Sequence, residues 1–337
     1  MQLSLKRVEL PSEEILLDSS NDTFYETHRS QSFGVVADAL QKRTQIYRNR
    51  HAETIEESKE ITNLSHLRDR LDRVPELNAI GRNISKHLKI LSELNRLVEE
   101  RTFFESTRVA QRLAVRGPVS ESDCVQSLLE LFSRKPSVPR EDCVRLVLMF
   151  ALRYEGSESS LKRLIRAVPS SLLHSSDDLE DLIDRMIRRM GSRKRTGDLF
   201  SNKTYGAVLG GTFDLFKSMT AGTITQIEPL LRTVLIDGLL KDKLEESEYP
   251  TYCENISKQD FKRKEIKTKR KKNVVVFMIG GGVTYAEARV VDLINREMEK
   301  KKNGVRVVLG GSNVLSSGDF VELIRGSRDD GDRAWFA

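Results

Sequence analysis

The segment Val274–Ala288, with the sequence VVVFMIGGGVTYAEA, restricts the possible folds of this chain more than any other. Its first part, Val274–Ile279, is apolar at every position, which is typical of a strand covered on both faces in a parallel sheet. Three glycines follow, and a helical pattern of apolar residues runs from Thr284 to Lys302. Because Val305–Leu309 is a second apolar strand, the sequence predicts a parallel βαβ unit with a right-handed crossover.

This predicted βαβ unit is incomplete as a domain. Strands that are apolar throughout need neighbouring strands, and helices on both faces of their sheet. The sequence contains no other convincing strand, although a further helix is predicted at Ser316–Arg325. We therefore expect the companion strands to belong to a polypeptide segment outside this sequence.

The part of the chain before this unit is predicted to be mainly helical. Apolar residues recur at helical spacings from Asp22 to Arg50, with an interruption near Ser32–Gly34. The next segment, His51–Arg73, is densely charged and carries one narrow row of apolar residues. This row, which we name the apolar stripe, consists of Ile61, Leu64, Leu67, Leu71 and Val74. Pro75 follows the stripe and predicts a break or bend in the helix.

The clearest periodic pattern lies after Pro75. Its apolar residues follow steps of three and four, as in the seam of a coiled coil, and they are Leu77, Ile80, Ile84, Leu88, Leu91, Leu94 and Val98. They predict one long helix from about residue 77 to residue 115, which Gly117-Pro118 ends. Shorter helices are predicted at Ser122–Phe132, Arg140–Tyr154, Ser159–Ala167 and Ser175–Met190, a loop at Gly191–Thr212, and another helix at Gly222–Leu244.

Composition argues against a secreted, disulfide-rich or membrane-spanning protein. Charged residues make up 31% and aromatic residues 6% of the chain, a balance typical of long solvated helices. The three cysteines, Cys124, Cys143 and Cys253, form no CxxC pair and are odd in number, as expected in a reducing compartment. The N-terminal residues lack the apolar core of a signal peptide, and no segment is apolar enough to span a bilayer. We therefore expect a cytoplasmic or peripheral membrane protein.

The glycine turn raises the question of a phosphate-binding site. The backbone N–H groups of Gly280, Gly281 and Gly282, at the start of a helix, could bind phosphate. However, the turn matches neither G-x-G-x-x-G nor a P-loop. Thr284 and Glu287 also form a T-x-x-E capping box, which satisfies the helix N–H groups internally. We favour a structural turn and cap, and we keep a nucleotide-binding enzyme as the alternative hypothesis.

The sequence contains no other pattern typical of a catalytic or metal site. The five histidines are scattered, without an HExxH motif, a close cysteine or a paired carboxylate, and they are His28, His51, His66, His87 and His174. No G-x-S-x-G nucleophile elbow occurs. We therefore expect no enzyme activity, no metal site and no cofactor.

The segment 258–272 is strongly basic, within a chain of net charge +6. A flexible, solvated linker is the favoured interpretation, because charge runs are usually solvated. Peripheral contact with an anionic membrane, with nucleic acid or with an acidic protein surface is the alternative. Only Phe261 adds an aromatic ring to this segment, so stacking on bases has little support and we expect no nucleic-acid partner.

The apolar stripe predicts a different activity. Its residues could simply pack on the long helix that follows. However, paired long helices with narrow apolar seams and charged flanks also suit the docking of another amphipathic helix in register. Binding of a helix at the stripe, with Pro75 at its end, is the activity that the residues support best.

These segments together resemble the SM family, the Sec/Munc-type proteins that bind syntaxins and guide SNARE assembly. The resemblance rests first on VVVFMIGGGVTYAEARVVDLINR and GVRVVLGGSNVLSSGDFVELI. It extends in the same order to FYETHRSQSFGVVADAL, VPELNAIGRNISKHLKILSELNRLVEER, DCVRLVLMFALRYE and IEPLLRTVLIDGLLKDKLEESEYP. Within the family, the long helix and the ending are most similar to the branch that serves vacuolar protein sorting on the trans-Golgi and endosomal route.

The resemblance implies an arch of domains in which the α/β second domain is split by insertion of a helical third domain. Residues 1–220 then correspond to the helical domain, and residues 221–337 to the returning half of the α/β domain. The segment from about residue 24 to residue 75 matches a helical hairpin that templates SNARE helices, with Leu64, Leu67, Leu71 and Pro75 on its C-terminal arm.

The function implied by the resemblance is regulation of vesicle docking and membrane fusion in Golgi, endosome and vacuole transport. The protein would hold SNARE helices in register without catalysis. The implied partners are syntaxin-type SNAREs and the R-SNARE helices of vesicles. The implied location is the cytoplasm, with peripheral attachment to Golgi and endosomal membranes.

Overall fold

A computed structural model of the chain describes residues 5–10, 13–56, 64–115, 117–134, 138–169, 176–195, 200, 229–241, 243–244, 246–247, 249–250, 272–302 and 304–326. The chain divides into two compact units, Met1–Phe103 and Phe104–Ala337, which we call the N-terminal unit and the C-terminal unit. The predicted domain boundary near residue 220 and the basic segment up to residue 271 lie outside the described residues.

The N-terminal unit begins with a β-hairpin. Strand β1, Leu5–Glu9, pairs antiparallel with strand β2, Glu14–Asp18. In β2 the side chains of Ile15 and Leu17 are buried and that of Leu16 is exposed, which is the alternation of a half-buried strand. The expectation of no strands outside the C-terminal pair was therefore wrong. Five residues flanked by charges are too short a pattern to predict a strand, and pairing with β1 decides the conformation.

Three helices follow the hairpin: α1 at Thr23–His28, α2 at Phe33–Glu56 and α3 at Leu64–Glu100. Phe24, Leu40 and Ile84, one from each helix, are buried in one cluster. Gly81 permits a close approach of α2 to α3, because a Cβ atom at this position would lie 2.7 Å from the hydroxyl oxygen of Tyr47. The two long helices therefore form a hairpin packed on α1.

Helix α3 does not end at Pro75, so of the predicted break or bend at this residue the break was wrong. A proline inside a helix removes one backbone hydrogen bond, to the carbonyl group four residues earlier, while its φ angle remains compatible with the helix. Ile80 and Ile84 pack into the core in the next two turns and support the helix after the proline. The apolar stripe and the seam residues consequently belong to one helix.

Helix α3 ends at Glu100, and a separate helix, α4, covers Phe103–Ala114. The predicted single helix from about residue 77 to residue 115 was therefore wrong at both ends. Thr102 interrupts it with a φ angle of 49°, in the left-handed region that β-branched residues rarely adopt. The apolar period resumes in α4, where Val109 and Leu113 are buried, so the sequence pattern shows no gap.

The C-terminal unit has a helical core close to the predicted one. Helices α5 to α8 occupy Glu121–Phe132, Arg140–Arg153, Glu158–Ala167 and Ser176–Met190. Cys143, Val147 and Phe150 of α6 are fully buried. Helix α6 is apolar on nearly every face because α5, α7 and α8 all pack against it.

The predicted helix at Gly222–Leu244 is described only from Pro229 onward. Helix α9, Leu230–Thr233, begins directly after Pro229 and passes into a π turn at Val234–Gly238 and a 3-10 turn at Leu239–Lys241. The prediction of one regular helix was therefore wrong here. Pro229 has no backbone N–H, so it begins a helix readily and continues one poorly.

The predicted βαβ unit is present. Strand β3 at Lys272–Met278 pairs in parallel with strand β5 at Val305–Gly311, and helix α10 at Tyr285–Lys300 connects them. A second parallel pair is formed by β4 at Val283–Thr284 and β6 at Val314–Leu315, and helix α11 follows at Ser317–Gly326. The prediction of a mainly helical chain with a C-terminal α/β part is thus confirmed.

The described residues cover only one face of the β3–β5 pair. Val290 and Ile294 of α10 are buried against Val307 of β5 on this face. Successive side chains of a strand point to opposite faces. On the other face of β3, Val275 is 70% exposed and Phe277 is 60% exposed. A parallel sheet is normally covered on both faces, so this apolar face is unusual.

Helix α10 also closes part of the outer edge of β5. The side-chain amide of Asn295 donates to the Val307 carbonyl oxygen at 2.8 Å, and the Val307 N–H donates to Asn295 Oδ1 at 2.8 Å. These two bonds occupy the backbone groups of Val307 that another strand would need. Among the described residues, the edge that remains for a further strand at this level of the sheet is that of β3.

Candidate functional site

The structure places most of the apolar stripe on helix α3. The stripe residues in this helix are Leu64, Leu67, Leu71 and Val74, and Pro75 follows them. Ile61 lies outside the described residues. Sequence reasoning had allowed the stripe to be a separate helix that packs on the seam, and the continuity of α3 removes that arrangement.

The face of α3 that continues the stripe is exposed. Steps of three and four residues stay on one face of a helix, so this face runs from Val74 through Asn78, Arg82, Ser85 and Lys89. All four residues after Val74 are exposed. The face in line with the stripe is therefore turned to solvent from Asn78 to Lys89.

A different face of α3 packs against the rest of the N-terminal unit. It carries Ile80, Ile84, His87 and Leu91, again at steps of three and four. Ile84 and His87 are buried, and Ile80 and Leu91 pack against the same cluster as Ile84. Helix α3 thus anchors itself with one face and exposes the face that is in line with the stripe.

A buried polar cluster fixes α3 to the start of α1. Asp22, which is 2% exposed, accepts the backbone N–H of Tyr25 at 3.0 Å and so caps helix α1. The same carboxylate lies 2.9 Å from Nε2 of His87 and forms an ion pair with Lys86. One buried carboxylate therefore satisfies a helix N-terminus and joins two helices.

Burial and hydrogen bonding shift the pKa values of this cluster. Burial alone would raise the pKa of Asp22, but hydrogen bonds from Lys86 and the Tyr25 backbone hold it well below its usual range. Burial lowers the pKa of His87, and the positive charges of Lys86 and Arg43 add to this effect against the attraction of Asp22. At neutral pH the cluster therefore holds an ionised Asp22 beside a neutral His87.

Sequence reasoning missed this cluster. It treated His87 as lacking a carboxylate partner, whereas the structure pairs it with Asp22, which lies 65 residues earlier. Phe24 completes the contact, with its ring centroid 4.2 Å from that of His28 and 4.7 Å from that of His87. An aspartate directly before a helical pattern is an N-cap signal, and this signal could have located half of the cluster.

The second candidate site, the glycine turn, is filled by the chain itself. Gly280–Gly282 connect β3 to β4. A Cβ atom at Gly282 would lie 2.7 Å from the carbonyl oxygen of Asn313, so only glycine fits this approach. The same carbonyl oxygen accepts the backbone N–H of Val283 at 2.7 Å. The turn thus closes the contact between β4 and the segment before β6.

The start of helix α10 carries a complete capping box. The Thr284 N–H donates to Glu287 Oε2 at 2.8 Å, and the Glu287 N–H donates to Thr284 Oγ1 at 3.3 Å. The Glu287 carboxylate occupies the position where phosphate would bind and would repel an anion there. Nothing at this turn favours the nucleotide-binding alternative.

The described part of the chain has few other features that support chemistry. It contains no group of three or more His, Cys, Asp or Glu side chains placed to hold a metal ion. No helix in the same residues combines the length and apolar character needed to cross a membrane. Cys124 and Cys143 are buried, and burial raises the pKa of Cys143 to about 12, which suppresses its thiolate. The exposed polar face of α3 that continues the stripe, at Asn78, Arg82, Ser85 and Lys89, is therefore the candidate site that remains in the described residues.

Comparison with known proteins identifies relatives along most of the chain. A model of the Sec1 family matches residues 4–323. Vacuolar protein sorting-associated protein 45 of Rattus norvegicus is 30% identical over 315 residues, which cover 93% of this chain and 51% of the relative. The Homo sapiens protein of the same name is 29% identical, with the same two coverages of 93% and 51%. The chain thus spans about half the length of the curated relatives it matches.

Solved structures share the fold. The SM protein Vps45 in complex with the Qa SNARE Tlg2 matches with a TM-score of 0.71 and 25% sequence identity, over 94% of this chain and 52% of that chain. The sequence segments that resemble SM proteins, the family model and the shared fold all cover nearly the same residues. We conclude that the chain belongs to the Sec1 family.

Proposed function

We propose that this chain forms part of a SNARE-binding regulator of vesicle docking and membrane fusion in transport between Golgi, endosomes and vacuole. The observation that carries the proposal is the continuous helix α3, whose face in line with the apolar stripe is exposed at Asn78, Arg82, Ser85 and Lys89. A similar SM protein has been solved in complex with the Qa SNARE Tlg2, which supports a SNARE as the partner.

In this function the α2–α3 hairpin is a platform on which a SNARE helix packs in register. A narrow apolar stripe can interdigitate with the stripe of another amphipathic helix, while charged flanks disfavour other alignments. Burying one leucine side chain contributes roughly 1.5–3 kcal/mol, which changes a dissociation constant about tenfold or more. The Asp22–His87 cluster and the contact of Gly81 with Tyr47 hold the two helices in place before binding. Binding of a partner helix therefore costs less conformational entropy.

The proposed domains and partners also follow the resemblance to SM proteins. The segments up to about residue 220 correspond to the helical arch domain of SM proteins, and residues 221–337 to the returning half of the split α/β domain. The exposed apolar face of β3 supports the assignment of residues 221–337 to half of a domain, because a parallel sheet is normally covered on both faces. The proposed partners are syntaxin-type SNAREs and vesicle R-SNARE helices, and the protein acts by binding, without catalysis or a cofactor.

The proposed place of action is the cytoplasmic surface of Golgi and endosomal membranes. The basic segment 258–272 would assist peripheral attachment, because clustered Lys and Arg residues attract anionic lipid headgroups. Within this segment the structure describes only Lys272, the first residue of β3.

The substitution Leu71→Asp tests SNARE binding at the stripe. We expect it to weaken binding of a syntaxin-type SNARE-motif peptide about tenfold or more, because an aspartate replaces a leucine that the bound helix would cover. Leu94→Asp is the matched control, since Leu94 lies in the same helix, is 44% exposed and sits on a different face from the stripe. Fluorescence anisotropy measures both affinities, and circular dichroism verifies that both variants fold. Equal affinities of the two folded variants would contradict the assignment of the stripe.

A further inference from the structure

The turn after helix α8 carries a feature that SNARE binding does not use. Ser192 lies two residues after Met190, the last residue of α8, and is exposed. It stands within the sequence RRMGSRKR, residues 188–195, which is basic on both sides of the serine. We name residues 191–195 the basic turn.

A single carboxylate holds the basic turn in place. Ser192 donates its backbone N–H to the two carboxylate oxygens of Glu155 at 2.8 and 2.9 Å, and its hydroxyl to Glu155 Oε2 at 2.7 Å. Arg195 Nη2 lies 3.0 Å from Glu155 Oε1. Glu155 stands two residues after the end of α6, so these contacts connect the end of α8 to the end of α6. We name the contacts of Glu155 with Ser192 and Arg195 the clamp.

The same turn offers hydrogen-bond donors that could serve another anion. The Nε and Nη1 atoms of Arg195 are buried and have no hydrogen-bond partner among the described residues. Buried donors of this kind call for a ligand, an ion or an ordered water. A phosphate group supplies three acceptor oxygens, and its geometry matches a guanidinium group. Arg195 therefore has donors for a phosphate on Ser192, in the same turn.

We propose that Ser192 is a phosphorylation site for a basophilic serine/threonine protein kinase, and that phosphorylation releases the basic turn from Glu155. In the reaction the Ser192 hydroxyl oxygen forms a bond to the γ-phosphorus of ATP. The bond from this phosphorus to the ADP oxygen breaks, and the hydroxyl proton passes to the catalytic base of the kinase. Basic side chains before and after Ser192 complement the acidic substrate groove that defines this class of kinase.

Charge explains why the clamp opens after phosphorylation. The phosphate carries about −1.5 to −2 charges at pH 7. It is attached to the oxygen that lies 2.7 Å from Glu155 Oε2 in the unmodified protein. Two anions at this distance repel each other, whereas Arg195 can move its ion pair from Glu155 to the phosphate. The basic turn then loses its hydrogen bonds to Glu155, while α8 stays packed on α6 through the core.

Phosphorylation of the full chain tests the site. The protein is incubated with ATP, magnesium and the catalytic domain of protein kinase C, and site occupancy is measured by mass spectrometry. We expect phosphate at Ser192, and about tenfold lower occupancy in the double variant R189Q/K194Q because the kinase loses two charge contacts. Ser122→Ala is the matched control, since Ser122 is exposed but lies between acidic residues, and occupancy of Ser192 should not change. Absence of phosphate at Ser192, or full occupancy in the folded double variant, overturns the proposal.

Hydrogen exchange tests the release of the clamp separately. Amides of residues 191–195 should exchange faster in the phosphorylated protein than in the unmodified protein. Glu155→Gln should also speed exchange without phosphate, and it should raise the phosphorylation rate because the opened turn reaches the kinase more easily. Unchanged protection of residues 191–195 at full Ser192 occupancy would refute the release, and an unchanged phosphorylation rate in Glu155→Gln would refute the clamp.

Discussion

The helical core and the parallel sheet of the C-terminal unit are both built on apolar side chains, but in the described residues only the helical core is closed. In the core, Leu128, Val147 and Leu164 are each 0% exposed. On β3, Val275 and Phe277 are 70% and 60% exposed. Within the described residues, one region completes its own interior and the other presents an apolar face.

The difference follows from how the two kinds of element satisfy their backbones. A helix makes its hydrogen bonds within itself, so helices with apolar faces need only other helices to close a core, and here α4 and α11 add Leu113 and Ile324 to it. A parallel strand needs neighbouring strands and a helix layer on each face. Helix α10 supplies one such layer through Val290 and Ile294, and the other layer would have to come from a further segment.

Truncation of one phenylalanine in the helical core and one on β3 should give the largest difference in the free energy of unfolding. Phe150→Ala should lower the free energy of unfolding by about 3–5 kcal/mol, because it leaves a cavity at a fully buried position. Phe277→Ala should change it by about 0.5 kcal/mol or less, since its ring is mostly in water. Urea denaturation measures both values. Similar losses in the two variants would show that the face of β3 is covered in solution.

Removal of Asn295 tests how far the sheet depends on α10. Asn295→Ala should cost about 1–3 kcal/mol, because the backbone N–H and carbonyl groups of Val307 lose their partners. Arg296→Ala is a suitable control, since its i,i+4 ion pair with Asp292 contributes only about 0.3–0.5 kcal/mol. Thermal unfolding and the exchange rate of the Val307 amide report the effect. If both variants behave alike, the edge contact of Asn295 has no role in stability.

Acidification should distinguish the N-terminal unit from the helical core by a smaller effect. Burial lowers the pKa of His87 in the folded state from the ordinary value of 6.5, so the unfolded chain binds more protons just below that pH. Stability of the N-terminal unit should therefore fall as the pH decreases from about 6.5 toward the lower folded-state pKa of His87. The described helical core around α6 contains no buried histidine and should not respond.

Hydrogen exchange at pH 7.5 and pH 5.5 measures this acid response in each region. Amides of α1 and α3 should lose protection at the lower pH, after correction for the intrinsic exchange rate. His87→Gln removes the titrating group and should flatten the response. Equal loss of protection in α6 would assign the acid sensitivity to some other group.

Local patterns predicted the parts of the fold that depend on local interactions. The helices at Glu121–Phe132, Arg140–Arg153, Glu158–Ala167 and Ser176–Met190 begin and end within one residue of their predicted positions. The T-x-x-E sequence at Thr284 predicted a capping box, and the structure contains one. Periodicity and capping act over three or four residues, so the sequence contains the information they require.

Several of the predictions that failed concern features of the structure that depend on contacts between residues far apart in the sequence. The β1–β2 hairpin needs its partner strand, and the break at Thr102 leaves the apolar period intact on both sides. Helix α3 continues through Pro75 because later residues such as Ile84 pack into the core. The partner of His87 is Asp22, which no spacing rule selects across 65 residues. For the hairpin, for Pro75 and for His87 the deciding contact is tertiary.

The candidate site shows most clearly which features depend on local sequence and which depend on tertiary contacts. The sequence by itself determined that Leu64, Leu67, Leu71 and Val74 share one face of a helix, because 3.6 residues per turn is a local property. Only the tertiary structure decided which face of α3 packs inward, since burial of Ile84 depends on Phe24 and Leu40, far away in the chain. Periodicity defines the faces of a helix, but contacts between distant residues determine which face is left for a partner.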